Sequence, residues 1–273
     1  MGPILVVGGG VAGTATALAL QQAGLQATVF EAYACGGDDA GAFLTLGANG
    51  MLALAELDTA DVVAEGGFGL HTLELTDAEG TQLGARPLTS ARPDVPGYQC
   101  LRRSELYRVL QAEVARRGAV VERGKRLVRA EPVDGGVRAV FSDGTSADGE
   151  LLVGADGLRS TVRTVIDSAA PEPRYVGAQV FYGYASDAEP GGEVGVLHIM
   201  RGSTTAFGYT VDPEGRTWWF ARLRGPEIDR ARIAGTRPQQ WRADLEAVFR
   251  GARIPAAGIV AATGQELFVT NAH

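Results

Sequence analysis

The chain has 273 residues, of which 45% are hydrophobic and 21% are charged, a composition typical of a globular protein and not of a disordered one. At roughly 150 residues per domain, this length corresponds to about two domains. The net charge of −7 argues against a nucleic-acid-binding protein, which normally carries a basic face. Cys35 and Cys100 are too few for a disulfide framework, and the three histidines are far apart in the sequence, so we expect a cytoplasmic protein without a metal site.

The first 30 residues contain no charged side chain and no histidine. Glycines at positions 8–10 and glutamines at positions 21 and 22 interrupt the apolar stretch, and no basic residue precedes it, so we predict neither a membrane span nor a signal peptide. The pattern instead predicts a βαβ unit. Its parts are a buried strand at 4–7, a helix at 11–23 that ends at Gly24, and a second strand at 27–31.

The next part of the chain mixes loops, helices and strands. Glycine and aspartate predict a loop at 35–41, and Pro93 and Pro96 predict another at 89–97. The turn Asp134-Gly135-Gly136 indicates a hairpin. The predicted helices cover residues 48–57, 103–117 and 160–166, and the predicted strands cover residues 70–75, 127–132, 137–141 and 150–153.

Past Pro171 the pattern changes to short apolar strands separated by turn clusters such as the one at 212–215. This spacing indicates an antiparallel sheet. Its strands are expected at 180–185, 194–200, 205–211 and 217–223, and an amphipathic helix is expected at 238–249.

Residues 8–13 read Gly-Gly-Gly-Val-Ala-Gly and fit the pattern G-x-G-x-x-G between a strand and a helix. In this pattern Gly8 permits the tight turn, Gly10 lets the backbone approach a pyrophosphate, and Gly13 lets helix and strand pack closely. Glu31 ends the next strand at close to the expected spacing of about 20 residues. Its carboxylate can accept hydrogen bonds from ribose hydroxyls and disfavours a 2′-phosphate. The alternative is a tight strand–helix turn with a solvated Glu31.

A second motif follows an apolar strand, where residues 154–163 read Gly-Ala-Asp-Gly-Leu-Arg-Ser-Thr-Val-Arg. Together with residues 8–13, Glu31 and Arg103, this segment resembles the D-G motif of the FAD-dependent aromatic hydroxylases. These are the group A flavoprotein monooxygenases related to para-hydroxybenzoate hydroxylase. An ordinary strand-to-helix turn is the alternative for residues 154–163.

The resemblance implies an α/β fold in which a Rossmann-like FAD-binding domain of the GR2 type, built on a parallel sheet, is interleaved with an antiparallel-sheet substrate domain. The FAD-binding domain is expected at residues 1–70 and 98–170, with residues 255–273 returning to it. The substrate domain is expected at residues 71–97 and 171–254.

The resemblance also implies which residues hold the cofactor. The backbone of Leu127 would meet the adenine, Asp156 would lie by the ribityl chain, and Arg103, in the family's R-x-x-L-x-x-x-L helix, would lie near the ribityl and phosphate atoms. A surface arginine and a core leucine are the alternatives for Arg103 and Leu127. The residues expected at the pyrophosphate are Gly8, Gly10, Val11, Ala12 and Gly13, and those at the adenosine ribose are Glu31 and Ala32.

In two places the chain departs from the family pattern. Residues 41–43 would pass near the isoalloxazine ring, yet no arginine occurs between Glu31 and Arg86, where many relatives carry one. The family's third signature, a G-D motif, is missing, because the chain ends about where that motif would be approached. The alternatives that remain open are a fragment, a naturally short protein, and one half of a split enzyme completed by a second polypeptide.

For the chemistry, the resemblance implies that NAD(P)H reduces FAD and that O₂ then forms a flavin C4a-hydroperoxide, which hydroxylates a small aromatic substrate. The substrate pocket would lie between the flavin and the antiparallel sheet. Tyr209 and Trp218 are the predicted substrate-binding residues, with sheet core as their alternative. No catalytic acid or base is predicted, and His198 is expected to be structural or pocket-lining.

The sequence therefore predicts an FAD-dependent monooxygenase that hydroxylates an aromatic or polycyclic small molecule. One alternative is the FAD-binding half of a split or truncated flavoprotein without oxygenase activity of its own. Another is an NAD-linked dehydrogenase, which the glycine loop and Glu31 allow. A flavin-dependent halogenase is disfavoured, because Trp218-Trp219-Phe220 does not fit the W-x-W-x-I-P stretch of that group.

Overall fold

The structure, a computed structural model, describes residues 2–34, 42–90, 92–186, 188 and 192–273. Most of the loop predicted at 35–41, including Cys35, lies outside these residues. The helices are α1 Val11–Gln22, α2 Ala48–Ala55, α3 Ala60–Glu65, α4 Arg103–Arg116, α5 Thr161–Ile166, α6 Arg230–Gly235, α7 Pro238–Phe249 and α8 Ala256–Ala261. The strands are β1 Ile4–Val7, β2 Ala27–Glu31, β3 Phe43–Leu46, β4 Phe68–Leu70, β5 Thr72–Asp77, β6 Gln82–Pro87, β7 Tyr98–Arg102, β8 Val120–Arg123, β9 Leu127–Val133, β10 Gly136–Phe141, β11 Ser146–Gly149, β12 Leu151–Gly154, β13 Ala178–Ala185, β14 Val196–Arg201, β15 Thr205–Val211, β16 Thr217–Arg224 and β17 Thr263–Asn271.

The chain divides into two units. The first consists of Met1–Ala40, Leu52–Gly66 and Arg103–Pro173, and the second of Gly41–Met51, Gly67–Arg102 and Arg174–His273. The α/β fold class expected from the sequence is confirmed, because a parallel sheet organises the first unit and a mainly antiparallel sheet organises the second. Among the described residues, no helix is both long and apolar enough to cross a membrane.

The first unit is built on a four-stranded parallel sheet with the strand order β12-β1-β2-β8. Its centre is buried, and Leu5, Val6 and Val7 of β1 form the continuous apolar run that a strand covered on both faces requires. The three-stranded sheet β11-β10-β9 contributes Phe141, whose ring stacks on Phe30 of β2 with 4.7 Å between centroids. Because β1, β2 and β12 are parallel, their carboxyl ends meet at one edge of the sheet.

The second unit is built on a seven-stranded sheet with the order β17-β13-β16-β15-β14-β5-β6. Its strands pair antiparallel, except that β5 and β14 are parallel to each other, as far as the described residues extend. One face packs against α7 and α8 around Trp219, whose side chain is fully buried. The opposite cross-strand position is Gly183, where a Cβ atom would lie 2.5 Å from the Trp219 ring. The other face is covered by the aromatic residues of a second cluster, and a small sheet β3-β7-β4 completes the unit.

The domain boundaries differ from those expected from the sequence. Residues 255–273 were expected to return to the FAD-binding domain, but β17 pairs antiparallel with β13 in the second unit, with Gln179 opposite Asn271. Residues 41–51, 67–70 and 98–102 also belong to the second unit, because β3 and β4 both pair with β7. These pairings join segments that are distant in the sequence, so the local pattern of each segment does not reveal them.

Candidate cofactor-binding site

A groove of about 400 Å³ opens in the first unit, where β1, β2 and β12 end. It is lined by residues 8–10, 31–33, 125–127 and 155–157, together with side chains of α4 and α5. Glu31 and Asp156 both line this groove, as a single dinucleotide lying across the first crossover requires. Gly8, Gly10, Ala32 and Leu127 line it as well.

The three motif glycines play three different parts. Gly8 has φ +105, and a Cβ atom there would lie 2.4 Å from the carbonyl oxygen of Ala155. At Gly13, a Cβ atom would lie 1.8 Å from the carbonyl oxygen of Gly8. At Gly10, by contrast, a Cβ atom would meet nothing within 4 Å. The protein itself therefore requires the first and third glycines, whereas the second leaves open space in the groove that a pyrophosphate can approach.

In the described part of the chain, no side chain caps the amino terminus of α1. Gly10 is its N-cap residue and supplies no side-chain acceptor, and the first turn holds no acidic residue. The backbone N–H groups of Val11, Ala12 and Gly13 in this turn therefore lack the capping partner that many helices have. Together with the partial positive charge of a helix amino terminus, they fit an anionic group such as a pyrophosphate.

Glu31 is buried, with 8% of its surface exposed, and among the described residues its carboxylate accepts hydrogen bonds from backbone groups only. The N–H of Gly9 donates to Oε2 at 2.7 Å, and the N–H of Tyr33 donates to Oε1 at 2.9 Å. Each carboxylate oxygen has a further lone pair, so the group can still accept hydrogen bonds from ribose hydroxyls.

Asp156 has a structural task in addition to its place in the groove. Its Oδ1 accepts a hydrogen bond from Ser160 Oγ at 2.5 Å, and its Oδ2 accepts from the N–H groups of Thr161 at 2.7 Å and Val162 at 3.1 Å. The carboxylate therefore caps α5, where its charge also complements the helix dipole. Its predicted place by the ribityl chain stays a prediction, since these contacts neither require nor exclude it.

Arg103 and Leu127 differ in their relation to the groove. Leu127 is buried and lines it. Arg103 is the first residue of α4, has an exposed side chain and is not among the residues that line the groove. The neighbouring Arg102 belongs to the second unit, where its Nη1 lies 2.8 Å from Oε1 of Glu266 and its guanidinium covers the Tyr184 ring.

Sequence reasoning missed Gln111 of α4, which lines the groove although only 7% of its surface is exposed. Its Nε2 donates to the carbonyl oxygen of Gly9 at 2.7 Å, and its Oε1 accepts a hydrogen bond from Arg123 Nη2. The available signal was a polar amide next to Leu110 in the buried part of an amphipathic helix. A buried polar side chain at such a position needs a hydrogen-bond partner.

In the second unit, Tyr209 and Trp218 lie on opposite faces of the seven-stranded sheet. The register places Tyr209 opposite Trp219, so that Trp218 points the other way. One face of the sheet therefore cannot present both predicted residues to a substrate. Trp218 is buried beside Tyr184 and Phe68, and its Nε1 donates to Oδ2 of Asp212 at 2.8 Å.

Tyr209 stacks on His198, with 4.5 Å between ring centroids. The Nδ1 atom of His198 lies 3.1 Å from Oε2 of Glu74. Burial lowers the pKa of His198, and the neighbouring Glu74 carboxylate opposes that shift. Burial also raises the pKa of Tyr209. The structural or pocket-lining part expected for His198 stays a prediction.

Comparison with known proteins identifies the family. Residues 1–190 match the family described as FAD binding domain. The chain is 30% identical over 225 residues to aurachin C monooxygenase/isomerase of Stigmatella aurantiaca, covering 82% of this chain and 57% of that protein. It is 35% identical over 181 residues to FAD-dependent urate hydroxylase of Klebsiella oxytoca, covering 63% of this chain and 45% of that protein.

A third relative, 3-amino-4-hydroxybenzoate 2-monooxygenase of Streptomyces cremeus, is 35% identical over 183 residues, covering 66% of this chain and 45% of that protein. Among solved structures, Klebsiella pneumoniae HpxO complexed with FAD and uric acid superposes with a TM-score of 0.84 at 26% identity, covering 99% of this chain and 68% of that chain. The chain spans about half the length of these curated relatives.

The fold and the groove define a dinucleotide-binding protein with a Rossmann-like unit and a G-x-G-x-x-G loop. The chain belongs to the FAD-binding-domain family, that of the group A FAD-dependent monooxygenases. Its cofactor is FAD. The open space at Gly10 and the free acceptor positions of Glu31 fit that group.

Proposed function

We propose that this chain is the FAD-binding and substrate-binding part of a monooxygenase that hydroxylates an aromatic or polycyclic small molecule, with NAD(P)H as reductant. In the overall reaction, NAD(P)H, a proton, O₂ and the aromatic compound yield NAD(P)⁺, water and the phenol. When bound, FAD supplies hydride acceptance and oxygen activation. The observation that carries the proposal is the single groove that joins the glycine loop, Glu31 and Asp156 in a chain of this family.

The chain's own part at the cofactor is binding and orientation. The free N–H groups at the start of α1 would hold the pyrophosphate, and each hydrogen bond to a charged group is worth about 1.5–3 kcal/mol. Glu31 would accept hydrogen bonds from the adenosine ribose. Because this carboxylate is buried, a 2′-phosphate beside it would be repelled in a low-dielectric site. This argument excludes NADP as the tightly held nucleotide and is consistent with FAD, which has no 2′-phosphate.

The substrate is assigned to the aromatic face of the second unit. On this face Tyr182 of β13 lies opposite Phe220 of β16 and Phe268 of β17, and all three side chains are only partly buried. Phe43 lies against this group, 6.0 Å from the Tyr182 ring and 6.3 Å from the Phe220 ring between centroids. Such rings favour an aromatic partner through offset or edge-to-face contact. The relatives named for urate and for an aminohydroxybenzoate also act on ring compounds.

Under this assignment Trp218 remains a substrate-binding candidate, whereas Tyr209 does not. Trp218 belongs to the cluster on the aromatic face, and its Nε1 donates a hydrogen bond to Asp212. Tyr209 lies on the face that packs against α7 and α8, so a substrate on the aromatic face would not touch it.

A second candidate function is an FAD-binding half without oxygenase activity of its own, completed by a second polypeptide. It rests on the groove, whose lining residues all belong to the first unit. In this case the chain would bind FAD, yet NAD(P)H oxidation would require the partner.

The test is to purify the protein, supply FAD, and record the flavin absorption band and the rate of NAD(P)H oxidation with a set of phenolic substrates under ¹⁸O₂. The proposal predicts a yellow protein, faster NAD(P)H oxidation with one class of phenol, and one labelled oxygen atom in the product. Colourless protein that cannot be reconstituted with FAD contradicts both candidates. If the protein binds FAD but oxidises NAD(P)H only after a second polypeptide is added, the second candidate is favoured.

A further inference from the structure

Gly9, the middle residue of the glycine loop, is held on both sides by buried side chains. Its N–H donates to Glu31 at 2.7 Å, and its carbonyl oxygen accepts a hydrogen bond from Gln111 Nε2 at 2.7 Å. Gln111 lies on α4, 102 residues away in the sequence. We propose that Gln111 is a positioning residue, which holds the Gly9–Gly10 peptide so that the Gly10 N–H points at the pyrophosphate of FAD.

The reason is the geometry of the peptide bond. In a planar trans peptide the carbonyl oxygen and the following N–H point in opposite directions. A Gly9 carbonyl directed at Gln111 therefore turns the Gly10 N–H away from α4. The same rule applies one peptide earlier, where the Gly9 N–H points at Glu31 and the Gly8 carbonyl oxygen points at Gly13. Glu31 and Gln111 thus fix two successive peptide planes of the loop.

Arg123 determines the orientation of the side-chain amide of Gln111. Its Nη2 donates to Oε1 of Gln111, so that Nε2 is the atom left facing the Gly9 carbonyl. The reversed amide would place a donor against the guanidinium and an acceptor against the carbonyl, and both contacts would be repulsive. The positive charge of Arg123 also polarises the amide and strengthens its donation to Gly9.

Burial and backbone conformation make this hydrogen bond consequential. Gln111 is buried, so no bulk water can replace its amide at the Gly9 carbonyl. The loop consists of three successive glycines, which have the widest choice of backbone conformations of any residue. Without a fixed partner for Gly9, the Gly10 peptide could rotate, and the phosphate would have to order it on binding.

The experiment compares three ligands on the same protein: FAD, ADP and adenosine. Gln111→Met keeps the length of the side chain and removes the donor, and Gln111→Glu keeps the acceptor for Arg123 but turns an acceptor towards the Gly9 carbonyl. Gln22→Met is the matched control, because Gln22 is an exposed glutamine of α1 that donates to the Glu56 carbonyl and does not line the groove. Calorimetry measures FAD and ADP, ligand-observed NMR measures adenosine, and thermal unfolding checks that each variant is folded.

If Gln111 positions the Gly10 N–H, both Gln111 variants will bind FAD and ADP about tenfold to a hundredfold more weakly, because one hydrogen bond to a charged group is lost. Their affinity for adenosine, which has no phosphate, will stay within about twofold of that of the unaltered protein. Gln22→Met will leave all three affinities unchanged. Arg123→Met will weaken ADP binding in the same direction but less, and combining it with Gln111→Met will add little further loss.

Two results would overturn the inference. An equal loss for adenosine and ADP would show that Gln111 merely supports the unit's fold, and unchanged ADP affinity in folded Gln111→Met would show that the loop needs no such support. The inference concerns only the cofactor site and does not depend on the proposed hydroxylation. Failure of the unaltered protein to bind FAD would instead count against the cofactor assignment itself.

Discussion

A side-chain carbon at Gly13 would lie 1.8 Å from the carbonyl oxygen of Gly8, so the first turn of α1 and the end of β1 touch backbone to backbone. This contact is possible only because residue 13 is glycine. It brings the amino terminus of α1 to the edge of the parallel sheet where Glu31 also ends its strand. Backbone packing therefore fixes the position of the helix terminus before any cofactor binds.

Alanine substitutions at Gly10 and Gly13 should separate binding from stability. Gly13→Ala forces backbone atoms apart and should cost about 1–3 kcal/mol or more in the free energy of unfolding. Gly10→Ala meets no protein atom, and the residue has ordinary angles of φ −74 and ψ −168, so stability should change by less than about 0.5 kcal/mol. Its methyl group would occupy space assigned to the pyrophosphate, so FAD should bind at least about tenfold more weakly. Denaturant unfolding and FAD titration measure the two effects, and normal FAD affinity in Gly10→Ala would refute the assignment.

Glu31→Gln tests the acceptor assigned to the adenosine ribose. The substitution preserves the shape of the side chain but removes its charge and turns one acceptor atom into a donor. FAD affinity should fall by about tenfold to a hundredfold, and discrimination against NADP should weaken, because the repulsion of a 2′-phosphate is lost. Glu122→Gln on β8 is the control, since Glu122 is exposed and does not line the groove. Equal effects of the two substitutions would contradict the assignment.

The two faces of the seven-stranded sheet should respond differently to substitution. Phe220→Leu removes one ring from the aromatic face and should raise KM for an aromatic substrate by about threefold to tenfold. This increase corresponds to the loss of one aromatic contact worth about 0.5–1.5 kcal/mol. Tyr209→Phe changes the opposite face and should leave KM unchanged. Steady-state NAD(P)H oxidation measures both KM values. A KM change confined to Tyr209→Phe would indicate that the substrate binds on the other face.

Glu113 of α4 should make stability depend on pH. Its carboxylate accepts hydrogen bonds from Arg116 and Arg117, and these contacts lower the pKa of Glu113 to about 2, with burial opposing them. Because the folded-state pKa is lower than the unfolded one, the contribution is present above pH 4.5 and is lost as pH falls towards 2. Glu113→Gln should therefore cost about 1–2 kcal/mol at pH 7 and little near pH 2. A cost that does not vary with pH in urea unfolding would contradict this account.

The parts of the fold that the sequence could predict are those whose causes are local. β1, α1 and β2 were predicted nearly to the residue, because an apolar run, a glycine turn and a terminating glycine are adjacent in the chain. β17 was not predicted, because its place depends on pairing with β13, more than 80 residues earlier by the register of Gln179 and Asn271. β6 was missed for another reason: all of its residues are exposed, so no alternation marks it.

The same distinction applies to the sites. The glycine loop and Glu31 could be predicted because the motif is local, whereas Gln111 could not, because its contact joins α4 to the loop. Period-2 alternation correctly placed Phe207 and Tyr209 on one face of β15. It could not show that Trp218 belongs to the opposite face, since this depends on the cross-strand register of Tyr209 with Trp219.

A crystal structure of this protein with bound FAD tests the central claim most directly. The account predicts that a ribose hydroxyl of the adenosine lies within hydrogen-bond distance of the Glu31 carboxylate and that the pyrophosphate lies against the Gly10 N–H at the start of α1. A dinucleotide seated away from Glu31, or a pyrophosphate that does not approach Gly10, would contradict it.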